Sequence, residues 1–328
     1  STSGPVLSNA VSFATGPYVT PHVKIDGYAV YTNNPLTMAF RGFGANQPCL
    51  AYELQMEKLA AALNMDPVEL RLKNVLVDGA EGPLGSPPPG RVGMKQTLER
   101  GALAAGWRRV GQHWMAPRPA PPSALHKRRG IGVACSWKNT GYSFGFDDKS
   151  TCRVELTLSA GAGRHGQPTA GGIERAIVKI GVAEVGQGTT TGLAQIAAET
   201  LGLPLHCIDL IVSDTDIAPD AGSSSASRQL YVSGNAVRRA CLKALDAYHG
   251  AAPGATSIAV EATFHAREQR PTTPFDPQTG LCNPHVCVGW SANIVEVEVD
   301  IETGEVELIA VYAAHDVLRA VKSFSKDI

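Results

Sequence analysis

The chain has 328 residues, of which 44% are hydrophobic and 18% are charged, and its formal net charge is −1. A nearly neutral surface gives no long-range attraction to nucleic acid or to an anionic membrane, and 6% aromatic residues provide no series of stacking platforms for single strands. No signal peptide and no run of 18 apolar residues is present. We therefore expect no nucleic-acid partner and no membrane partner, and the length fits two domains.

Seven cysteines stand at positions 49, 135, 152, 207, 241, 282 and 287. None of them forms a Cys-x-x-Cys pair, so their spacing predicts neither a zinc site nor an iron–sulfur cluster. An odd number of scattered thiols is typical of a reduced, cytoplasmic protein.

The first part of the chain predicts one strand and three helices. The strand is VKIDGYAVYT, residues 23–32, and the first helix opens at Pro48, with Tyr52, Met56, Leu59 and Leu63 on one face. A second helix begins at Asp66-Pro67 and runs through Leu72, and after a loop at 78–93 a third covers 94–106. The proline-rich and then basic stretch 118–130 is the best linker candidate, and it divides the chain into domains 1–125 and 126–328.

The second part is richer in strands. We expect strands at 152–158 and 175–182 with a long turn at 161–172 between them, a helix at 189–201, a strand at 205–212, a helix at 237–248 and a hairpin turning at Thr303-Gly304. Strands and helices without strict alternation predict an α+β fold with mixed sheets and packed helices.

Three loops rich in hydrogen-bond donors precede helices: RGFG at 41–44, EVGQGTTTG at 184–192 and SDTDIAPDAGSSSASRQ at 213–229. Glycines at a helix N-terminus form an anion site, although the second loop has neither Walker A nor Rossmann spacing. The third loop lacks the glycine and the terminal glutamate of an EF-hand, so it is a weak calcium candidate. When each segment is taken alone, a helix cap with a glycine turn explains the second loop better than a site does. A tight turn explains the first segment, and a solvated loop the third, as well as a site does. Together they suggest one large ligand that carries phosphates and a heterocycle.

These segments resemble the molybdopterin-binding, or large molybdenum, subunit of the xanthine dehydrogenase/aldehyde oxidase family. The likeness rests on AFRGFGANQ, MDPVELRLKN, EVGQGTTTGLAQIAAE, SDTDIAPDAGSSSASRQ, YVSGNAV and VEVDIETGEV, in this order over nearly the whole chain. It implies a molybdenum–molybdopterin cofactor in the cytosine dinucleotide form, with the metal held by the pterin dithiolene and not by a side chain. It also implies hydroxylation of an N-heteroaromatic or aldehyde carbon with oxygen from water, and an iron–sulfur subunit and an FAD subunit as partners.

The resemblance also assigns roles to individual residues. Arg41 and Phe43 match family residues at the pterin and the substrate cavity, and Phe144 matches a second ring against a flat substrate, with an ordinary core phenylalanine as the alternative. The remaining cofactor-binding positions that it implies are Gly42, Gly186, Gln187, Gly188, Ala226, Ser227, Arg228 and Gln229.

Two family segments have no counterpart in these 328 residues. They are an upstream glycine-rich stretch and the GEPP-like stretch whose glutamate acts as general base, which we expect beyond Ile328. We therefore expect no turnover by the isolated chain. Asn9 stands where xanthine-oxidising members carry a second substrate-binding arginine, which argues against a purine substrate. The alternatives are an inactive fragment, or a phosphate- or nucleotide-binding module without redox chemistry.

Overall fold

The structure is a computed structural model that describes residues 3–35, 39–162 and 168–317. Its α-helices are α1 (Ser3–Ser12), α2 (Asn46–Ala62), α3 (Pro67–Asn74), α4 (Met94–Ala104), α5 (Thr189–Leu201) and α6 (Gly234–His249). Its strands are β1 (Arg108–Val110), β2 (His113–Met115), β3 (Lys127–Thr140), β4 (Lys149–Ala162), β5 (Pro168–Ile180), β6 (Ile208–Val212), β7 (Ser257–His265), β8 (Cys287–Asp300) and β9 (Val306–Asp316). A π-helical turn at Gln229–Ser233 leads directly into α6.

The described residues form two compact units. Unit 1 takes its residues from Ser1–Asn139 and Phe275–Leu318, and unit 2 takes its residues from Thr140–Pro274. Unit 1 is therefore discontinuous in sequence, because β8 returns late in the chain to pair beside β3.

Unit 1 is built around a three-stranded sheet in the order β3-β8-β9. The hairpin of β8 and β9 is antiparallel, with Val299 opposite Val306 next to the turn. Helix α4 packs closely on this sheet, since a Cβ at Gly101 would lie 3.4 Å from the Cβ of Ala314. Trp137 and Trp290 stack with their ring centroids 5.3 Å apart in the core. Helices α2, α3 and α4 contribute Met56, Leu70 and Leu98 to this core.

Unit 2 contains a four-stranded sheet in the order β6-β5-β4-β7. β4 is antiparallel to both β5 and β7, whereas β6 runs parallel to β5. A parallel pair requires a crossover, and α5 lies in the connection from β5 to β6. The loops at 183–188 and 213–228 therefore follow the carboxyl ends of two neighbouring parallel strands.

Most predicted elements are confirmed, and the fold class is α+β with mixed sheets. Helix α5 covers the predicted residues 189–201 and buries Leu193, Ala197 and Leu201, and Gly202 ends it in the left-handed conformation. Asp66 caps α3 by accepting hydrogen bonds from the backbone N–H groups of Val68 and Glu69. The predicted turn at 161–172 was too long, because β4 extends to Ala162 and β5 begins at Pro168.

The strand predicted at residues 23–32 was wrong. These residues form no strand and are exposed, because no other described strand pairs with them and alternation alone does not supply backbone partners. The buried face of α2 was also wrong in part: Leu59 and Leu63 are exposed, whereas Glu53 is buried. Its carboxylate accepts hydrogen bonds from the hydroxyl of Tyr18 and the guanidinium of Arg71, which compensates its burial.

The compact units differ from the predicted domains 1–125 and 126–328. The predicted boundary falls inside unit 1, because the side chain of Glu298 on β8 holds the segment just before β3. Its carboxylate accepts hydrogen bonds from the backbone N–H of Ser123 at 2.8 Å and from the Ser123 hydroxyl, and it pairs with Arg129 at 2.9 Å. Burial does not prevent its ionisation: these hydrogen bonds lower the pKa of Glu298 to about 2.

Within residues 3–35, 39–162 and 168–317, no helix is both long enough and apolar enough to cross a membrane.

Candidate functional site

The RGFG loop at residues 41–44 is a tight turn that leads into α2. Gly42, Phe43 and Gly44 all have positive φ, at +94°, +39° and +92°. The amide of Asn46 donates to the carbonyl of Arg41 at 2.6 Å and closes the turn. The Arg41 side chain is exposed and the Phe43 side chain is half-buried.

Protein packing explains why position 44 is glycine. A Cβ at Gly44 would lie 2.1 Å from the carbonyl oxygen of Val6 on α1, which is backbone and cannot rotate away. A Cβ at Gly42 would meet only the side-chain amide of Asn46. The close approach at Gly44 is therefore made to α1, and the loop presents Arg41 and Phe43 from a backbone that α1 fixes.

The second loop, at residues 183–190, binds an internal anion. One carboxylate oxygen of Glu184 accepts hydrogen bonds from the backbone N–H groups of Gly186 and Gly188 at 2.8 and 3.0 Å, and the other accepts from Thr190 at 3.0 Å. These bonds to the start of α5 lower the pKa of Glu184 to about 2. The anion site that the sequence predicts at this helix N-terminus is thus occupied by the protein's own carboxylate.

The side chain of Gln187 folds back on the same loop. Its Nε2 donates to the carbonyl of Ala183 at 3.0 Å, and its Oε1 accepts from the backbone N–H of Val185 at 2.6 Å. A Cβ at Gly186 or Gly188 would meet nothing within 4 Å. The outer side of this loop is therefore open, and its shape is set from within.

Arg228 lies inside the third loop and not on its surface. The side chain is 1% exposed, and its Nε donates to Oδ1 of Asp148 at 2.6 Å. Its two terminal nitrogens donate to the carbonyls of Ala221, Ser223 and Lys149, so four of the five N–H groups of the guanidinium have protein acceptors. Arg228 therefore organises the loop from within, whereas the preceding Ser227 is exposed.

Hydroxyl groups gather on the exposed side of this loop. The Tyr142 hydroxyl forms hydrogen bonds with the hydroxyls of Ser223 and Ser225, the latter at 2.7 Å, and the two serine hydroxyls are 3.0 Å apart. The amide of Gln229 donates to the Ser224 hydroxyl at 2.9 Å. These groups can donate to phosphate or pterin oxygens after rotation of their O–H bonds.

Backbone strain marks the predicted site residues. Among the described residues, six that are not glycine have φ in the left-handed region: Phe43, Asn64, Phe144, Ser213, Ala226 and Ser227. Four of the six are residues to which the family resemblance assigns a role. Such strain is found at binding and catalytic sites, where the surrounding structure enforces it. Phe43, Phe144, Ala226 and Ser227 thus share a backbone feature that is found at binding sites.

The predicted site residues fall in both units. Arg41, Gly42 and Phe43 belong to unit 1, whereas Phe144, the loop at 186–188 and residues 226–229 belong to unit 2. Within unit 2 the structure joins the Phe144 loop to the third loop, since the backbone N–H of Gly141 donates to the carbonyl of Ala226 at 2.9 Å and Asp148 holds Arg228.

Three residues that shape these loops were missed by sequence reasoning as site residues: Tyr142, Asp148 and Glu184. Asp148 could have been suspected from the acidic pair in FDDKS, but nothing local indicates that its partner is Arg228, 80 residues later. Within the described part of the chain, no group of three His, Cys, Asp or Glu side chains is placed to hold a metal ion.

Comparison with known proteins identifies the family. Two models described as molybdopterin cofactor-binding domain match residues 1–75 and 105–322. A probable xanthine dehydrogenase subunit of Bacillus subtilis is 31% identical over 94% of this chain and 42% of its own length. The nicotinate dehydrogenase large molybdopterin subunit of Eubacterium barkeri is 45% identical over 29% of this chain and 22% of its own length.

Among solved structures, the aldehyde oxidoreductase of Desulfovibrio desulfuricans superposes with a TM-score of 0.72 over 96% of this chain and 33% of its own length, at 21% identity. That likeness shows the fold. The chain spans less than half the length of each of these three proteins. Its sequence and its fold therefore agree, and the chain belongs to the molybdopterin cofactor-binding domain family of xanthine dehydrogenase and aldehyde oxidase type.

Proposed function

We propose that this chain forms part of the molybdenum subunit of a hydroxylase that acts on an N-heteroaromatic carbon or, as the alternative, an aldehyde carbon. The reaction is R–H + H2O → R–OH + 2H⁺ + 2e⁻, and the two electrons leave to an acceptor. The observation that carries the proposal is the coincidence of backbone strain with the predicted loops, at Phe43, Phe144, Ala226 and Ser227. The relative named as a nicotinate dehydrogenase subunit favours the heteroaromatic class.

The described residues fit a cofactor that brings its own metal and presents polar pterin and phosphate groups. Open space surrounds Gly186 and Gly188, and the hydroxyls of Tyr142, Ser223 and Ser225 lie together on the exposed side of the third loop. When bound, the cofactor supplies the oxygen-transfer and two-electron chemistry of the metal.

The residues of the chain bind and orient in this proposal. Gln187 and Ser227 donate to the pterin and its phosphates from their two loops, and Gly186 and Gly188 allow a close approach. Gln229 supports the third loop from within, because its amide donates to the Ser223 carbonyl and the Ser224 hydroxyl. Arg228 acts on the third loop from within, as its four internal hydrogen bonds require. The family resemblance gives Arg41 and Phe43 a place at the substrate cavity, and it gives Phe144 a place against a flat substrate ring. Because Glu184 occupies the N-terminus of α5, the hydroxyls of the third loop bind the phosphates.

We further propose the cytosine dinucleotide form of the cofactor, together with an iron–sulfur subunit and an FAD subunit as electron acceptors. A cytoplasmic complex agrees with seven cysteines that are all free thiols.

The test is to purify the native complex that contains this chain and to measure molybdenum, released cytidine monophosphate and incorporation of ¹⁸O from labelled water into a hydroxylated heteroaromatic product. We expect one molybdenum per chain and labelled product. A native complex that holds nucleotide without molybdenum would favour the competing module that binds phosphate without redox chemistry.

A further inference from the structure

Lys138 lies in an environment of unit 1 that is unusual for an ammonium group. Its Nζ donates to Oδ1 of Asn9 at 3.1 Å and to Oδ1 of Asn139, and it lies 5.1 Å from the centroid of the Phe13 ring. Asn9 and Phe13 are buried, at 7% and 1% exposed. Among the described residues, no carboxylate forms an ion pair with Lys138. Its surroundings are thus neutral amides and an aromatic ring.

A half-buried ammonium without a counter-charge is costly to maintain. Desolvation lowers the pKa of Lys138 to about 8, and no charge of the described residues opposes that effect. In other parts of unit 1, buried charges are matched: Arg71, for example, is held by Glu53 at 2.7 Å. The environment of Lys138 therefore lacks one component, an anion, which a ligand can supply.

The position of Lys138 connects this ammonium to the RGFG loop. The turn of α1 from Val6 to Ala10 packs against Gly44, since a Cβ there would lie 2.1 Å from the Val6 carbonyl oxygen and 3.1 Å from the Ala10 nitrogen. Asn9, which accepts the hydrogen bond from Lys138, belongs to that same turn. One turn of α1 thus sets the position of both the loop that carries Phe43 and the acceptor of the ammonium.

We propose that Lys138 is a specificity-determining residue that binds a carboxylate on the substrate, with Asn9 and Asn139 orienting its ammonium. This inference rests on the proposed hydroxylase function and narrows its substrate class. The substrate is an N-heteroaromatic ring that carries a carboxylate, and an uncharged ring or aldehyde lacks the group that Lys138 recognises.

The kinetic test uses the native complex carrying Lys138→Met, Lys138→Arg or, as the matched control, Lys95→Met at an exposed position of α4. Pyridine-3-carboxylate is compared with the uncharged pyridine-3-carboxamide. Loss of one charge-assisted hydrogen bond raises KM for the carboxylate by about tenfold to a hundredfold in Lys138→Met while kcat changes little. Lys138→Arg restores most of the loss, and KM for the carboxamide stays unchanged. Equal effects of Lys138→Met on both compounds, or none on either, would overturn the proposal.

A second test needs neither turnover nor a variant that folds. Acetic anhydride labels free amines, and mass spectrometry follows the labelling rate of Lys138 in the wild-type complex near pH 8. Pyridine-3-carboxylate is expected to slow labelling of Lys138 at least several-fold, whereas the carboxamide does not, and Lys95 serves as the internal control. Equal labelling with both compounds contradicts the proposal. Protection of Lys138 in a complex that hydroxylates neither compound would instead uphold carboxylate binding and count against the hydroxylase function.

Discussion

Arg228 donates from its Nε to Oδ1 of Asp148 at 2.6 Å, and both side chains are almost completely buried. The other Asp148 oxygen accepts from the backbone N–H of Tyr142 at 2.8 Å. One ion pair thus joins the loop that carries Phe144 to the loop that carries Ala226 and Ser227. The arginine that the sequence offers as a ligand for phosphate is the internal support of the residues around it.

Removing one partner of this pair should strongly destabilise unit 2. Arg228→Met leaves the Asp148 carboxylate buried without its counter-charge, which costs about 3–5 kcal/mol in the free energy of unfolding. Urea denaturation of the wild type and the variant measures this loss in the free energy of unfolding. The exposed pair of Arg175 and Asp209 is the matched control, where Arg175→Met should cost only about 0–1 kcal/mol. Equal losses in the two variants would show that burial of the Arg228 pair does not determine its contribution.

The cap formed by Glu184 should be visible in amide hydrogen exchange. In Glu184→Gln we expect faster exchange at Gly186, Gly188 and Thr190, because the amide keeps only one acceptor oxygen, while Leu210 in β6 stays protected. If the three amides exchange at the wild-type rate, the carboxylate does not hold the loop.

The same cap predicts a pH dependence. The folded-state pKa of Glu184 is about 2, below its ordinary value of 4.5, so its contribution to stability is complete above pH 4.5 and is lost as the pH falls toward 2. Exchange at Gly186 and Gly188, corrected for the intrinsic pH effect, should therefore be constant from neutral pH to about 5 and rise only below it. A rise near neutral pH would contradict the assignment.

Gly44→Ala should destabilise unit 1 more than an alanine at another glycine of positive φ. Both Gly44 and the control Gly111 have positive φ, and the left-handed conformation costs alanine about 1–2 kcal/mol. Only Gly44 adds a clash with backbone, since open space surrounds Gly111. Thermal unfolding compares the two variants. Equal shifts in Tm would mean that α1 moves aside without cost.

The segment before β3 should be resistant to proteolysis as long as Glu298 holds Ser123. In Glu298→Gln the pairing with Arg129 and Lys127 is weakened, so we expect faster tryptic cleavage after Lys127 and Arg128. Cleavage at Arg267, in the connection after β7, serves as the internal control. Wild-type rates at Lys127 and Arg128 would indicate that other contacts hold this segment.

Local sequence signals predicted the elements that depend on local chemistry. The Asp66-Pro67 start of α3, the Gly202 end of α5 and the Thr303-Gly304 turn are each decided by a cap, a positive φ or a two-residue turn. Residues 23–32 and the exposed Leu59 show the limit. Alternation and helical spacing indicate which residues share a face, but they do not indicate whether another segment covers that face.

By itself, the sequence determined the family, the α+β class and the three loops, because glycine, serine and hydrogen-bonding residues at helix starts are local and ordered features. Only the tertiary structure decided which donors are available. It turned Arg228 inward to Asp148, placed Glu184 on the helix N-terminus and put Lys138 beside amide oxygens, where no carboxylate of the described residues pairs with it. Each of these outcomes depends on how far the side chain is removed from water and on which partners the folded backbone brings to it. Residue type alone indicates neither the burial nor the partner.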